Sequence, residues 1–172
     1  SSYNYLLGDL WQDTGSGHRI EKTVFVEAHA GYRDYGPENL RCVGETEFVV
    51  QMAEESEKGG PERAVISGIV GHADLRLGDG VEEILQEHID AANGRFRGIR
   101  HIAARDPYLE AASRWPAEDL YANEEYRRGA RMLGRLGLTQ DCWHLHPQIP
   151  SFMSMARAVP DTTFILNHFG TP

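Results

Sequence analysis

Cysteine is nearly absent from this chain: two occur in 172 residues, Cys42 and Cys142, far apart and without C-x-x-C spacing. A disulfide framework and a thiolate zinc site are therefore not expected, and a reducing cytoplasm is the compartment that fits. Positive charge is also short. With 17 basic against 26 acidic residues the net charge is −9, which argues against nucleic acid or an anionic membrane as a partner, since either favours a clustered basic face. Arg127, Arg128, Arg131 and Arg135 do cluster, but on a predicted helix between acidic segments, where they read as a solvated face. No apolar run approaches the ~18 residues of a membrane helix, and the opening "SSYNYLLGDLWQD" has no basic region leading into an apolar stretch. Internal repeats and low-complexity tracts are missing too. The first residue is serine, as expected of a processed chain or of a sequence that begins mid-gene.

What is present is an ordinary globular composition, 41% hydrophobic and 25% charged, sufficient for one core and one domain over residues 1–172. Strand and helix patterns alternate along it. Residues 22–30, "KTVFVEAHA", form a β-branched and aromatic run too short for a helix. Residues 45–60 follow with Phe48, Val49, Met52 and Ala53 on one helical stripe before a Gly-Gly stop. A second strand is expected over 63–75. Val81, Ile84, Leu85, His88, Ile89 and Ala92 then take i, i+3, i+4, i+7, i+8 and i+11 spacing, with Asp79 as cap and Gly94 past the end. The third strand falls in 95–103, and the next helix starts at an Asn123 cap and stops at Gly137. Residues 138–146, a Pro-started helix over 150–159 and a strand over 161–168 complete five strands and four helices.

Such alternation predicts parallel pairing through βαβ units, with every strand pointing the same way. Six of the eight histidines then sit at or just past strand ends: His29, His72, His101, His144 with His146, and His168. In a (β/α)8 barrel that is the end where active sites are built. His29 and His72 read as hydrogen-bonded structural or surface residues rather than ligands, His88 as a packed histidine on its helix's apolar stripe, and His18 as a solvated loop residue. His144 and His146, two apart in a strand, are expected to project together, with Pro147 ending the strand. Imidazoles from neighbouring strand ends could converge on a zinc-like ion, and His168 leads into a Gly-Thr-Pro turn that permits close approach to a ligand.

Arg100, at the end of "FRGIR", could form a bidentate pair with a substrate carboxylate or an ion pair with a neighbouring acid such as Asp74 or Asp106. The loop 105–122, carrying Tyr108, Trp115 and Tyr121, is long enough to cover a substrate or simply to pack on the rim.

The succession "YLLGDL", "TVFVEAHAGYR", "VGETEFV", "GIVGHADLRLG", "GRFRGIRHIAARDP", "LHPQIP" and "PDTTFILNHFGTP" resembles the amidohydrolase-related family of TIM-barrel metal-dependent hydrolases, whose best understood relatives are lactonases. The resemblance implies an α/β (β/α)8 barrel, of which this chain supplies about five βα units, strands two to six. It implies an H-x-H pair before Ser1 and an aspartate-bearing strand after Pro172, neither of which this sequence contains; that aspartate would take the proton of an attacking water. It further implies His168 as a catalytic residue, His146 and His168 as metal ligands, and Arg100 with His101 as substrate-binding residues. The cofactor is one divalent metal, zinc by preference, with metal-free catalysis also compatible.

The activity so implied is hydrolysis of a lactone or similar cyclic ester of a carboxylate-bearing small molecule. An alternative within related barrels is metal-dependent, non-oxidative decarboxylation of an aromatic acid. A different class is an inactive fragment or an oligomerising half-barrel, because five parallel strands without closure leave two edges open to a homo-oligomeric partner.

Overall fold

The computed structural model describes residues 5–105 and 118–172. Tyr108, Trp115 and Asp106 therefore lie outside the described residues. An unanticipated helix, α1 (Leu7–Thr14), precedes β1 (Lys22–Val26). Then follow α2 (Val43–Glu57), β2 (Val65–Gly71), α3 (Val81–Ala91), β3 (Phe96–Arg100), α4 (Glu124–Arg135), β4 (Thr139–Cys142), α5 (Ile149–Ala158) and β5 (Thr163–Leu166).

All five strands pair in parallel and in chain order, β1-β2-β3-β4-β5. This is the sequential order of a (β/α)8 barrel, and the sheet is a curled half of one, consistent with the expected partial barrel. The helices cover one face. Val81, Ile84, Leu85, His88 and Ala92 of the second helical pattern are buried, as their spacing requires, and Ile89 partly so, alongside buried Ile69, Ile99, Leu133 and Met155; each large aliphatic so placed contributes about 1.5–3 kcal/mol. The central strands are buried almost throughout, whereas β5 is mostly exposed, with Ile165 at 41%, and Val24 on β1 is 56% exposed.

Expected and observed boundaries differ at several points. Each strand stops short of its histidine, so the imidazoles sit on the loops that leave the sheet. Asp79 does not cap α3: the helix enters directly from a 3-10 segment, Leu75–Gly80, and it is Asp74 whose carboxylate accepts from Arg76 N at 2.9 Å to start that segment. Asn123 caps α4 as expected, accepting from Tyr126 N at 3.0 Å. Of the arginine cluster, Arg128 and Arg135 are exposed, but Arg127 donates from Nε to Tyr121 O at 2.7 Å and fastens α4 to the preceding loop.

Two glycines set how closely helices approach the strand-end loops. A Cβ on Gly44 would lie 2.6 Å from both Arg33 N and Gly31 O, so the start of α2 presses against the loop after β1. A Cβ on Gly129 would run into the Leu75 carbonyl oxygen, so α4 presses against the loop after β2.

Candidate active site

At the carboxyl end of β1 the chain delivers Glu27, whose side chain is fully buried. Arg100, ending β3, donates from Nε to Glu27 Oε1 at 2.8 Å and from Nη2 to the Glu27 carbonyl at 2.6 Å. The acid that meets Arg100 is thus Glu27, not Asp74. The other carboxylate oxygen of Glu27 lies 3.3 Å from His29 Nε2, and His29 Nδ1 lies 2.9 Å from the Tyr32 hydroxyl. His29 has φ +56, a left-handed backbone that a histidine adopts at a cost, and such residues concentrate at functional loops.

Glu45 holds that backbone in place. From the first turn of α2, its Oε1 accepts from Ala28 N at 3.0 Å and Ala30 N at 2.7 Å, bracketing His29. Burial pushes the Glu45 carboxyl above the ordinary range, partly offset by these two N–H donors.

The imidazoles continue from strand to strand. The His29 and His72 ring centres are 5.3 Å apart, and those of His72 and His101 are 5.4 Å apart. His72 Nδ1 sits 3.0 Å from the Arg100 carbonyl, and Leu75 N donates to His101 Nδ1 at 3.2 Å. Burial lowers the pKa of both rings, that of His101 to about 3. Behind them, His88 is packed as expected: fully buried, stacked on Phe96, it faces the His72 carbonyl at 2.9 Å through Nε2 and the Thr46 hydroxyl at 2.8 Å through Nδ1. A carbonyl only accepts, so Nε2 carries the proton, and burial lowers the His88 pKa to about 4.

The ends of β4 and β5 are built differently. His144 and His146 do not project together, because β4 ends at Cys142 and the alternation of a strand no longer applies. His144 is fully buried, with Nδ1 2.9 Å from the Tyr121 hydroxyl, while His146 opens the exposed 3-10 turn His146–Gln148. His168 is exposed, at φ +50, in the turn Asn167–Gly170. The two turns are tied by His146 N donating to Thr171 O at 3.4 Å and Trp143 Nε1 donating to Thr171 Oγ1 at 3.0 Å. Asp141 on β4 is buried, accepts from Asn167 Nδ2 at 2.9 Å, and has its pKa raised by burial.

A divalent ion needs several of these donors at one point. Among the described residues no group of three or more His, Cys, Asp or Glu is arranged to hold one. Nor, among the described residues, is any helix long and apolar enough to cross a membrane.

Residues that sequence reasoning passed over are Glu27 and Glu45. For Glu27 the available signal was an acid ending a run of β-branched residues, where burial without a cationic partner would be prohibitive; Glu45, in the first turn of α2, carried no such signal.

Parallel strands in chain order with polar side chains gathered at their carboxyl ends define a barrel-type enzyme scaffold. The family model described as "Amidohydrolase" matches residues 62–172, and the chain belongs to that family. It is 33% identical over 173 residues to the uncharacterized protein y4mH of Sinorhizobium fredii (strain NBRC 101917 / NGR234), covering 96% of this chain and 50% of that protein. Two crystal structures of an amidohydrolase from Burkholderia multivorans, each 19% identical, share the fold. The one with bound zinc has a TM-score of 0.64 over 99% of this chain and 49% of that one, and the one with bound HEPES a TM-score of 0.62 over 98% and 48%. The chain thus spans about half the length of the relatives it matches.

Proposed function

We propose that the complete protein hydrolyses a lactone or similar cyclic ester of a carboxylate-bearing small molecule, and that this chain supplies strands two to six of its barrel. The observation that carries the reading is the continuous polar array Glu27–Arg100–His72–His101 at the carboxyl edge of β1 to β3, where a barrel of this kind binds its substrate.

In this reading Arg100 anchors the substrate carboxylate. Glu27 takes its Nε and Nη2, so the anchor works through the remaining edge of the guanidinium, whose orientation the Glu27 pair fixes. His101 completes the substrate pocket. His168, held exposed in its strained turn, polarises the scissile carbonyl from the side of β5. Where the complete protein holds a zinc ion, as the Burkholderia structure does, His146 and His168 are the imidazoles this chain brings to it. Such an ion would supply Lewis acidity.

The test incubates the complete protein with a panel of lactones and a panel of hydroxybenzoates, following ring opening and carbon dioxide release. Ring opening that falls at least 100-fold in His168→Ala is the expected result. Carbon dioxide release without ring opening would replace it with a decarboxylase, and neither would leave a catalytically inactive barrel. Metal analysis of active protein decides the ligand role: activity without stoichiometric metal removes it from His146 and leaves His168 as an electrophile.

A further inference from the structure

We propose that His88 is a positioning residue for Arg100, acting through His72 along a chain of hydrogen bonds that starts on helix α3 and ends on the guanidinium that grips the substrate. The inference deepens the hydrolase reading and rests on its assignment of Arg100 to the substrate carboxylate.

The direction of each link is fixed by chemistry. Burial lowers the pKa of both His88 and His72, so each ring is neutral and carries one proton. His88 Nε2 faces the His72 carbonyl oxygen at 2.9 Å, and since that atom can only accept, the proton is on Nε2. The bare Nδ1 then accepts from the Thr46 hydroxyl at 2.8 Å. His72 repeats the pattern. Its Nδ1 faces the Arg100 carbonyl at 3.0 Å and must donate to it. Arg100 in turn donates from Nε to Glu27 Oε1 at 2.8 Å and from Nη2 to the Glu27 carbonyl at 2.6 Å. A side branch fastens the same loop to the residue after Arg100: Leu75 N–H can only donate, so His101 keeps Nδ1 bare at 3.2 Å and carries its proton on Nε2.

The chain closes on itself. From Glu27 the backbone runs through Ala28 to Ala30, whose N–H groups are both held by Glu45, and Glu45 adjoins Thr46 at the start of α2. Thr46, His88, His72, Arg100, Glu27 and Glu45 thus make one circuit through α2, α3 and the carboxyl ends of β2, β3 and β1. His88 is the link that α3 supplies.

That link is rigid. The His88 ring is fully buried and stacks on Phe96 with centres 4.9 Å apart and planes 2° from parallel. A Cβ on Gly71 would stand 3.1 Å from His88 Cε1, so the glycine that ends β2 leaves the ring its place. Cys42 Sγ lies 3.6 Å from Nε2, but its thiol reaches the Asn39 carbonyl at 3.5 Å, and sulfur is too weak an acceptor to displace the His72 carbonyl. Packing alone gives no reason for an imidazole here, because an aliphatic side chain would fill the apolar stripe of α3 without the cost of burying two polar nitrogens.

At the far end of the chain the aim of Arg100 is what matters. Glu27 takes two of its donors and its side chain is 19% exposed, so the substrate meets the one edge left over. Glu27 holds the guanidinium and His72 holds the carbonyl of the same residue. A shift of the His72 loop therefore turns the free edge away from the carboxylate, and displacements of about 1 Å are enough to be felt in turnover.

The test uses the complete protein. His88→Leu keeps the apolar stripe and removes both links, whereas His88→Gln can still donate to the His72 carbonyl. The substrates are a carboxylate-bearing lactone that the wild type opens and the matching carboxamide, which offers Arg100 no anion. His88→Leu should raise KM for the acid about 10-fold with kcat changed less than about threefold, leave the carboxamide within about threefold of wild type, and be rescued by His88→Gln. Thr46→Val, which removes the outermost link alone, should move KM for the acid the same way by a smaller factor, and it carries the test if His88→Leu does not fold. A second readout needs no turnover: in protein labelled with 15N-arginine, the Arg100 Nε–H, assigned from an Arg100→Lys spectrum, should exchange with solvent about 10-fold faster in His88→Leu than in wild type or His88→Gln. Equal losses on the acid and the carboxamide, or an unchanged exchange rate, overturn the positioning role while leaving the hydrolase. A wild type that opens no lactone overturns the hydrolase reading, and the exchange rate then decides for the link by itself: faster in His88→Leu upholds it, and unchanged overturns it.

Discussion

The two groups of histidines in this half-barrel are held by different physics. At the ends of β1 to β3 every imidazole is engaged at one ring nitrogen at least, and the carboxylates behind them, Glu27 and Glu45, are buried and committed to an arginine or to backbone N–H groups. At the ends of β4 and β5, His146 and His168 stand exposed on turns joined mainly by backbone and tryptophan contacts. The first group is preorganised by its hydrogen bonds; the second is exposed to solvent, with His168 resting against the Trp143 ring.

Breaking the first group should cost most. Glu27→Ala leaves the Arg100 guanidinium, 19% exposed, beside an empty buried site. Loss of one partner of a buried pair typically costs about 3–5 kcal/mol, and chemical denaturation should show a drop of that order. A change below about 1 kcal/mol would mean that water replaces the carboxylate.

Acid should loosen the same region. His88 and His101 have folded pKa values of about 4 and about 3, and that of His72 is lowered too, all below the ordinary histidine value of 6.5. The unfolded chain therefore binds more protons between those values, so stability is full above pH 6.5 and falls as pH drops towards 4 and below. Each such group costs about 1.4 kcal/mol for every pH unit over which it is protonated in the unfolded chain alone. Denaturation midpoints between pH 7.5 and 4.5 measure this, and His88→Gln should flatten the slope; an unchanged slope would place the acid sensitivity elsewhere.

A smaller loss is expected where β4 meets α5. Tyr121→Phe removes the hydroxyl beside His144 Nδ1, and among the described residues the buried Nε2 of that ring already has no hydrogen-bond partner. About 1–3 kcal/mol of destabilisation is the consequence of stranding a buried polar atom, read by thermal or urea unfolding. The smallest effect belongs to the exposed pair: His146→Ala and His168→Ala should each change stability by less than about 0.5 kcal/mol. A larger loss would mean that these turns support the sheet, erasing the contrast between the two groups.

Much of the scaffold was legible in the residues themselves. The i, i+3, i+4 spacing from Val81 to Ala92 and the Asn123 cap mark α3 and α4 because a helix imposes one period and one pattern of unsatisfied N–H groups. Six histidines at strand ends mark the working edge because parallel βαβ units turn every strand the same way. The misreadings share a cause. Extending β4 to His146 applied strand alternation to residues that had already left the sheet, so His144 turned into the core and His146 towards solvent. Asp79 looked like a cap because its spacing to Val81 suits one, yet the preceding 3-10 segment had already supplied the turn.

The sequence by itself determined the alternation of strand and helix from β1 to β5, the parallel direction and the end of the sheet where polar residues collect, since each follows from local periodicity and chain connectivity, while α1 escaped it. Only the tertiary structure decided that Glu27 would meet Arg100, that Glu45 would bracket His29, and which nitrogen of His72 and His101 would carry a proton. Those outcomes join residues 15 to 73 positions apart, and hydrogen-bond direction at an imidazole is fixed by whichever group packing brings against it.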